Sequence, residues 1–447
     1  MFPSSQPELR GLSITESSAM LLAGLQFRLR RQLQLLRRAR ASIREQGWKA
    51  TWHRARPQDG DASGGTGALP AAEARPWEVG PWVLVVDGRA PRPDRDSGSL
   101  RLLNLMRAMV SAGYRVAFIA DEGGSDAAAI ARLAAEGIHV PVDGNAGAAI
   151  AWIGGHRGTL AAAIVCRHHA AGHWLPLLRR IAPQARLVFD TVDLHHLREA
   201  REAELRGDRG LARRAAATRK RELALAELAD TTWVVSPVER GLLLPALPGA
   251  DVRVVSNIIE DDTAGASFEQ RHGLLFVGGL RHPPNRDAVE WLVSDIFPRV
   301  RAELPEVELH LVGDPGHGAA AVPASAGVIA HGHVPDLAPL LDGCRIAVAP
   351  LRFGAGVKGK INLSLAHGQP VVATACAVEG MHLVDGGDVL VADDAAGFSA
   401  RVVALYRDPD LWRRLSDNGR ANVRRHFSPA AALDAVRASL GSTGGVR

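Results

Sequence analysis

The stretch from Arg352 to Thr374 reads RFGAGVKGKINLSLAHGQPVVAT. An apolar run at 345–351 precedes it and predicts a buried strand, followed by a glycine-rich loop, a short helix and a second apolar strand at 369–374. Two lysines, Lys358 and Lys360, stand where the helix begins. Glycines let a ligand approach the backbone, and a helix N-terminus offers free N–H groups and the positive end of its dipole. We therefore predict that this loop binds an anion such as a diphosphate.

The same loop nearly matches the P-loop of nucleoside triphosphatases. Gly354, Gly359 and Lys360 fit the pattern G-x-x-x-x-G-K, but Ile361 occupies the position where a Ser or Thr would hold Mg²⁺. The pattern thus disfavours a P-loop ATPase and still suits phosphate. The alternative is a helix start whose glycines serve packing, although packing alone would not require two lysines beside them.

From residue 81 onward, short apolar segments alternate with helical patterns such as those at 100–112 and 199–229. Near-continuous apolar strands between helices are typical of a parallel sheet covered on both faces. We predict an α/β fold of two tandem Rossmann-like domains, with the strand-end loops of both domains facing an interdomain cleft. The predicted strands are 82–87, 114–120, 162–166, 186–190, 231–236 and 252–256, and then 274–279, 307–313, 327–332, 345–351, 369–374 and 388–393.

Shifts in composition divide the chain into parts. A basic amphipathic helical segment is predicted at 1–56, and a flexible linker rich in Gly, Ala, Pro and Asp at 57–78. The other predicted parts are an N-terminal Rossmann-like domain at 79–256, a connector at 257–272, a C-terminal Rossmann-like domain with closing helices at 273–430, and a tail at 431–447.

Length and composition indicate the class of protein. A chain of 447 residues is expected to hold two or three domains. Its three cysteines are too few and too widely spaced for a disulfide framework or a Cys-type zinc site, which indicates a reducing compartment. The net charge of +5 is concentrated between Arg28 and Arg56, so we expect no nucleic-acid partner for the body of the protein. Without a signal-peptide pattern or an apolar run of membrane-spanning length, we predict a cytoplasmic protein.

The basic N-terminal segment has two interpretations. Its apolar residues recur at three- and four-residue spacing with arginines between them, as in an amphipathic helix. Residues 20–56 would lie on an anionic membrane surface, at the inner face of the membrane, or would pack on the body of the protein or on a partner protein. The apolar positions are Leu22, Leu25, Leu29, Leu33, Leu36 and Ile43.

Polar residues follow the predicted strands of the first domain. The loop at 87–99 is long for a strand-to-helix connection, and Asp96 or Ser97 would cap the next helix while Gly98 lets a ligand approach. His195 lies after another strand, in the sequence FDTVDLHHLRE. A histidine at such a position suits proton transfer or hydrogen bonding near neutral pH.

Histidines also follow a third strand, at His168 and His169, so two histidine-bearing loops are expected to meet. His169 and His173 have the i, i+4 spacing of a metal-binding pair on a helix, but no third ligand has convincing spacing. We therefore predict no metal site. For any single histidine the alternative is a structural residue with satisfied hydrogen bonds.

Equivalent loops in the second predicted domain carry glycines and a further cation. In VGGLRHPPN, at 277–285, Gly279 permits close approach of a ligand and Arg281 is placed to meet a phosphate. In HGHVPDLAPLL, the backbone between Gly332 and Val334 would hold a flat base. Several such loops at equivalent strand ends make a stronger prediction of a binding site than any one of them alone.

Together these segments resemble the GT-B-fold glycosyltransferases of the group 1 retaining class, which move a sugar from a nucleotide-sugar donor. The resemblance extends over residues 80–430 and leaves out the basic segment and the linker. It rests on FVGGLRHPPN (276–285), HLVGDPG (310–316), HGHVPDLAPLL (331–341) and GAGVKGKINLSLAHGQPVVATACAVEGM (354–381), and in the first domain on SGSLR (97–101), DTVDLHHLRE (190–199) and VVSPVE (234–239).

The resemblance implies a donor site in the C-terminal domain and an acceptor site in the N-terminal domain. It implies that Arg281 and Lys358 act on the diphosphate, with Lys360 a nearby alternative, and that His195 lies near the sugar and the acceptor hydroxyl. It implies no obligatory metal or other cofactor, because basic side chains and a helix N-terminus neutralise the leaving diphosphate. The further binding positions that it implies are Gly98, Gly279, Gly332, Val334, Gly356, Val357, Asn362 and Ser364.

One departure from the family concerns two glutamates eight positions apart, the first meeting the sugar and the second the ribose. The corresponding residues here are Ala355 and Leu363, whose side chains accept no hydrogen bond. Asn362 and Ser364 flank the second position and would substitute for it. This departure affects the ribose contact and the donor preference and leaves the diphosphate site in place.

These observations predict a glycosyltransferase that acts on a glycan or lipid-linked acceptor in surface polysaccharide or glycolipid biosynthesis. The first alternative is a non-catalytic nucleotide-sugar-binding protein, which the absence of both glutamates favours. The second is another enzyme of the same fold, such as a sugar-nucleotide epimerase or a phosphorylase. An epimerase would be expected to place more acid–base carboxylates in the cleft.

Overall fold

The computed structural model describes residues 80–260, 265–314 and 325–441, together with residues 24, 26, 27, 29, 31 and 32. The predicted linker at 57–78 and most of the segment 1–56 lie outside these residues. Within the described ranges, the chain forms two parallel α/β sheets, each covered by helices. The predicted fold class is confirmed.

The first sheet has seven parallel strands in the order β3-β2-β1-β4-β5-β6-β7. Along β1, Val83 and Val85 join the core on one face, while Leu84 and Val86 join the core on the other, so both faces are buried. The strands are β1 (Trp82–Asp87), β2 (Arg115–Ala120), β3 (His139–Asp143), β4 (Leu160–Cys166), β5 (Arg186–Asp190), β6 (Thr231–Val234) and β7 (Val252–Val254).

Most helices of the first domain begin at polar caps. The carboxylate of Asp96, for example, accepts a hydrogen bond from the Ser99 amide at 2.8 Å, as its position in the sequence predicts. The helices are α1 (Ser97–Ser111), α2 (Ala127–Ala135), α3 (Ala146–His156), α4 (Arg167–Ile181), α5 (His195–Arg206), α6 (Arg209–Leu228) and α7 (Pro237–Leu243).

Two features of the first domain differ from the prediction. The edge strand β3 was not predicted, because its sequence HVPVD contains a proline and only Val142 is buried. The single helix predicted at 199–229 is the pair α5 and α6. Gly207 ends α5 with a φ of 62°, and the Asp208 carboxylate caps the first turn of α6.

The second sheet has six parallel strands in the order β10-β9-β8-β11-β12-β13. Its strands are β8 (Leu274–Val277), β9 (Leu309–Val312), β10 (Val328–Gly332), β11 (Ile346–Ala349), β12 (Val371–Ala373) and β13 (Leu390–Val391). The helices are α8 (Pro283–Trp291), α9 (Phe297–Glu303), α10 (Ala338–Gly343), α11 (Gly359–Ala366), α12 (Ala375–Val378), α13 (Ala395–Arg407), α14 (Pro409–His426) and α15 (Pro429–Leu440).

The last helix returns to the first domain. Val436 of α15 is fully buried in the core beneath β1, and the Trp233 indole N–H donates to Ser439 Oγ at 2.7 Å. The Tyr114 hydroxyl donates to the Gly441 carbonyl at 2.6 Å. The predicted tail at 431–447 therefore begins inside a helix that completes the first domain, and its last residues lie outside the described part of the chain.

The described residues of the N-terminal segment pack on the first domain. Phe27 is 2% exposed and lies edge-on against His173 and Trp174, with ring centroids 5.2 and 4.8 Å apart. Arg31 pairs with the Asp121 carboxylate at 3.2 Å. Leu29, which belongs to the predicted apolar stripe, is 60% exposed. Packing on the body of the protein is thus the interpretation that these residues support; the other stripe residues, such as Leu25, lie outside the described ones.

Across the described residues, no helix combines the length and apolar character that crossing a bilayer requires.

Candidate active site

Each sheet has one place where the strand order reverses. In the first sheet β1 lies beside β4, and in the second β8 lies beside β11. Doubly wound sheets bind ligands at such switch points, beyond the carboxyl ends of the strands. Gly98 and His168 follow β1 and β4, while Arg281 and Lys358 follow β8 and β11. Residues that the sequence singles out therefore lie at both switch points.

The loops beyond these strand ends touch across the domains. A Cβ atom on Gly356 would lie 3.0 Å from Asp193 Cβ, and one on Gly380 would lie 2.5 Å from Ser236 Cβ. Both glycines have a φ near 70°, which side chains disfavour (70° and 72°). Glycine at these two positions permits the close approach that the predicted diphosphate loop makes to the first domain.

An ion pair also joins the domains. The Arg201 guanidinium of α5 donates to both carboxylate oxygens of Glu379, at 2.7 and 2.8 Å, and to the Gly354 carbonyl at 2.8 Å. The hydrogen bond and charge of Glu379 raise the pKa of Arg201 against the effect of burial. A bidentate pair fixes both the orientation of the guanidinium and its distance from the carboxylate. Arg201 therefore holds the glycine-rich loop against α5.

Replacing Arg201 with alanine is expected to loosen this loop. The variant loses three hydrogen bonds between domains, worth about 1–3 kcal/mol together because the pair is partly exposed. Amide hydrogen exchange of residues 353–358 should rise by about tenfold, while exchange in β1 stays unchanged. The matched control is Arg206→Ala on the same helix, since Arg206 pairs only within α5, with Glu202. Equal protection in both variants would contradict the role of Arg201.

Lys358 is the N-cap of α11, and its ammonium folds back onto the loop. Its Nζ donates to the carbonyls of Ala355 at 3.2 Å and Gly356 at 2.6 Å. Burial lowers the pKa of Lys358, and nearby acidic groups, Glu239 and Asp193 among them, counteract part of this shift. The charge is thus held at the start of a helix, facing first-domain acids.

Lys360 interacts with a different part of the first domain. Burial lowers its pKa, and the carboxylates of Asp96 and Asp94 counteract the shift. A Cβ on Gly359 would lie 2.7 Å from Ser97 Cβ, so this side of the loop contacts the start of α1. The two lysines therefore lie near different acidic residues of the first domain, on two sides of the cleft.

Arg281 and His282 occupy the turn between β8 and α8. Arg281 is 48% exposed, and its guanidinium lies 3.2 Å from the Asp314 carboxylate. Although part of His282 is exposed, the surrounding protein removes hydration from its ring, and this effect, together with the charge of Arg198, lowers its pKa to about 4. The charges of Lys358 and His195 also lower this pKa, so both groups lie near His282.

His195 begins α5, with its imidazole against acidic groups. Its Nδ1 lies 3.1 Å from an oxygen of Asp193 and 3.7 Å from an oxygen of Glu222. Burial opposes ionisation of Asp193, but the charges of Arg198 and His195 outweigh it and hold the Asp193 pKa well below its usual range. Asp193 thus remains a carboxylate that orients the ring and directs Nε2 away from itself.

Glu222, from α6, caps the helix that carries His195. Its two oxygens accept hydrogen bonds from the amides of His195 at 3.0 Å and His196 at 3.2 Å, and His196 Nδ1 lies 2.5 Å away. Burial would raise the pKa of Glu222, but the close imidazoles of His168 and His196 and the charge of His195 lower it to about 2. A non-local carboxylate thus replaces the missing cap at Leu194.

Glu239, from α7, completes this support. Its oxygens accept hydrogen bonds from the amides of Leu194 at 3.1 Å and Val235 at 3.2 Å. Burial dominates here and raises the pKa of Glu239 to about 7, although both hydrogen bonds favour the charged form. Two glutamates therefore fix the backbone that presents Asp193 and His195 to the cleft.

Comparison with known proteins bears on the second domain. Residues 271–408 match the family model described as Glycosyl transferases group 1. The match covers most of the second domain and none of the first.

Solved glycosyltransferase structures share the fold. HepE from Anabaena, in complex with UDP-glucose, is 13% identical, with a TM-score of 0.60 over 81% of this chain and 100% of that one. TarM from S. aureus, in complex with UDP and alpha-GlcNAc-glycerol, is 14% identical, with a TM-score of 0.52 over 63% of this chain and 55% of that one. At these identities the likeness shows the fold alone, which is that of two α/β domains in tandem.

A curated relative matches part of the chain. It is an uncharacterized 44.6 kDa protein in the cps region of Klebsiella pneumoniae, 23% identical over 172 residues. The match covers 36% of this chain and 44% of the relative, so the chain spans less than half of that protein's length.

Backbone strain occurs in the two histidine loops of the first domain. Arg167, directly after β4, has a φ of 63°, and Val192, after β5, has a φ of 64°. Positive φ is costly for a β-branched residue and persists only where its surroundings enforce it. Arg167 is also held by an ion pair with Asp87, whose strand precedes the loop at 87–99. The strain lies where the loops present His168 and His195.

The remaining predicted binding positions differ in their surroundings. No atom lies within 4 Å of a Cβ placed on Gly279 or on Gly332, so both border open space among the described residues. A Cβ on Gly98 would lie 3.1 Å from the Arg167 guanidinium, so Gly98 makes room for that side chain. The Val357 carbonyl accepts a hydrogen bond from Asn257 at 3.2 Å, which joins the loop to the connector.

The residues around the second missing glutamate are buried. Leu363 packs with Val334 in an apolar cluster next to β8 and β9. Asn362 is 0% exposed, and its amide nitrogen and oxygen have no hydrogen-bond partner in this structure. Ser364 is also buried. Neither polar side chain reaches the protein surface here, so their substitution for a ribose-binding glutamate stays a prediction that requires movement of α11.

Several residues of the site were not predicted from the sequence. His282, Glu222 and Arg201 each act through partners on other elements, and Arg201 and Glu379 are 178 positions apart. A local signal existed only for His282, which adjoins Arg281 in the loop VGGLRHPPN. Arg101, the last residue of the SGSLR segment, is buried and pairs with Asp190 at 2.7 Å, so its role is structural.

Proposed function

We propose that this protein is a glycosyltransferase that moves a sugar from a nucleotide-diphosphate sugar to a glycan or lipid-linked acceptor. The observation that supports it most is the opposition of two groups across the cleft. The second domain brings Lys358 at the N-terminus of α11, and the first domain brings His195 on the Asp193 loop. Both lie close enough to His282 for their charges to lower the pKa of its imidazole.

In the proposed reaction, the diphosphate leaves against the glycine-rich loop. The Lys358 ammonium would exchange its Gly356 carbonyl partner for a phosphate oxygen, and the first amides of α11 would add hydrogen bonds. Arg281, more exposed, would turn from Asp314 towards the same phosphates. This positive charge stabilises the transition state because negative charge grows on the leaving group as the glycosidic bond breaks.

The first domain would hold the sugar and the acceptor. With its Nδ1 near Asp193, His195 has Nε2 available for a sugar or acceptor hydroxyl. Glu222 and Glu239 fix the backbone of this loop, so the imidazole would be preorganised rather than recruited on binding. No residue needs to form a covalent intermediate in this scheme.

The proposal also covers the stereochemistry of transfer, the metal requirement and the place of the reaction in the cell. We propose transfer with retention of anomeric configuration and without an obligatory metal or cofactor. We further propose a cytoplasmic role in surface polysaccharide or glycolipid biosynthesis, which a relative from a cps region supports. Peripheral contact with an anionic membrane, or with a partner protein, through residues 20–56 would bring the enzyme to a lipid-linked acceptor.

A non-catalytic nucleotide-sugar-binding protein is the second candidate. The favouring observation is that the two positions expected to carry glutamates are Ala355 and Leu363, and that Leu363 is committed to an apolar cluster. Such a protein would keep the phosphate contacts and lack turnover.

The experiment separates these functions in two steps. Nucleotide sugars are screened for a rise in the melting temperature of the protein, with and without EDTA, because a ligand that binds only the folded state stabilises it. We expect a shift that EDTA does not reduce, followed by release of the nucleoside diphosphate when glycan or lipid-linked acceptors are added. The absence of any shift would contradict the donor site, a shift lost in EDTA would contradict metal independence, and a shift without transfer would favour the binding protein.

A further inference from the structure

Three histidine side chains converge behind the proposed sugar site. His168 and His169, at the start of α4, have ring centroids 3.8 Å apart, and His195 of α5 lies 4.7 and 5.8 Å from them. One nitrogen from each ring lies within 4.8 Å of the others. His173, which the sequence spacing pairs with His169, does not take part, because its Nε2 lies 3.0 Å from the Asp121 carboxylate.

The nitrogens are near the spacing that a tetrahedral metal ion requires. Metal–nitrogen bonds of about 2.0 Å imply ligand nitrogens roughly 3.4 Å apart. Rotating the imidazole rings would supply the remaining contraction without moving the backbone. His168 is almost fully buried, and its Nδ1 has no hydrogen-bond partner in this structure.

A buried carboxylate backs two of the three rings. Glu222 places one oxygen 3.6 Å from His168 Nδ1 and 3.7 Å from His195 Nδ1. Histidines that bind metals commonly donate one ring N–H to such a carboxylate, which fixes the tautomer and leaves the other nitrogen for the ion. Glu222 is therefore placed to orient both Nε2 atoms towards a shared ion.

We propose that His168, His169 and His195 form a binding site for a zinc-type transition-metal ion. Three imidazoles with a water as fourth ligand form a familiar tetrahedral set for Zn²⁺. Nitrogen ligands select such ions over Mg²⁺ or Ca²⁺, which prefer oxygen. The site therefore differs in chemistry and position from a diphosphate-bound Mg²⁺, and it is compatible with a transfer that needs no metal.

Occupancy of this site would inhibit the enzyme. A metal ion on His195 Nε2 takes the nitrogen that the proposed function assigns to a sugar or acceptor hydroxyl. Metal bound to the three histidines would then reduce the rate of sugar transfer. The inhibition rests on the proposed function, whereas the binding itself does not.

Binding is tested on the full chain without donor or tag. Competition with a chromogenic chelator measures Zn²⁺ affinity and stoichiometry, and Co²⁺ in its place reports geometry through intense visible bands. We expect one equivalent and a tetrahedral Co²⁺ spectrum. His169→Ala removes a partly exposed ligand and should weaken binding by at least about 100-fold. His168→Asn, which is closer in size, provides a second loss of ligand should His169→Ala fold poorly.

The control is His331→Ala, because exposed His331 lies 2.9 Å from His310 in a separate histidine pair on the second domain. This variant should bind zinc as the wild type does. No zinc binding by the wild type, or binding that survives His169→Ala and His168→Asn, would overturn the proposal, as would binding lost only in His331→Ala. Transfer should fall with one equivalent of Zn²⁺ and recover with EDTA; undiminished transfer by the zinc-loaded protein would overturn the inhibitory role alone.

Discussion

Lys358→Ala is expected to lower kcat/KM for the donor by roughly 100- to 1,000-fold, mostly through kcat. The side chain holds its ammonium at the start of α11, where it donates to two loop carbonyls until a phosphate replaces them. Removing it leaves the developing charge of the diphosphate without its nearest cation. The measurement is release of nucleoside diphosphate under steady-state conditions, with the donor that the thermal screen identifies.

The chain offers a matched control for this variant. Lys220→Ala removes an exposed lysine from α6, and its kinetics should equal those of the wild type. Lys360→Ala should show a smaller loss, because Lys360 interacts with Asp94 and Asp96 at another side of the cleft. Equal activity of the Lys358 and Lys220 variants would remove Lys358 from the reaction.

Glu222→Gln is expected to destabilise the first domain by about 3 kcal/mol at neutral pH. The pKa of Glu222 falls from 4.5 to about 2 on folding, because His168, His196 and two helix amides stabilise the carboxylate against burial. A glutamine keeps the shape of the side chain and loses the charge. Urea unfolding followed by tryptophan fluorescence measures the loss, since Trp174 and Trp233 are buried in this domain.

The pH dependence of the same variant has a defined sign. The folded-state pKa of Glu222 lies below the unfolded value, so its contribution is complete above about pH 4.5 and disappears as the pH falls towards 2. The stability difference between wild type and Glu222→Gln should therefore shrink through this acid range. The control, Glu227→Gln, changes an exposed glutamate of the same helix and should leave stability within about 0.5 kcal/mol of wild type. A constant difference across the range would contradict the ionised cap.

The parts of the fold that could be predicted from the sequence were those with local signals. The apolar run WVLVVD forms β1 over its full predicted length, because a strand buried on both faces needs apolar residues throughout. The strand HVPVD at 139–143 has no such signal, since an edge strand tolerates proline and polar residues. The helix at 429–440 is amphipathic, but its partner surface lies more than 300 residues earlier, near Tyr114.

The candidate site likewise contains residues that could be predicted from a local sequence signal and residues that could not. The glycine-rich loop with Lys358 was predictable because its glycines, its lysines and the helix start adjoin one another in sequence. The carboxylates that support His195 were not, because Glu222 is distant in sequence and reaches the loop only when α6 folds back beside α5. Likewise, the meeting of two histidine loops was predicted from their strands, whereas the close approach of all three imidazoles depends on side-chain placement.

The return of α15 to the first domain has a consequence for synthesis in the cell. The first domain leaves the ribosome before the second, and domains generally fold in that order. Here Val436 and the Ser439 partner of Trp233 follow the whole second sheet in the sequence. The first domain therefore keeps part of its core uncovered until the second has been translated, so synthesis of α15, rather than of the first sheet, sets the moment at which the first domain can complete its core.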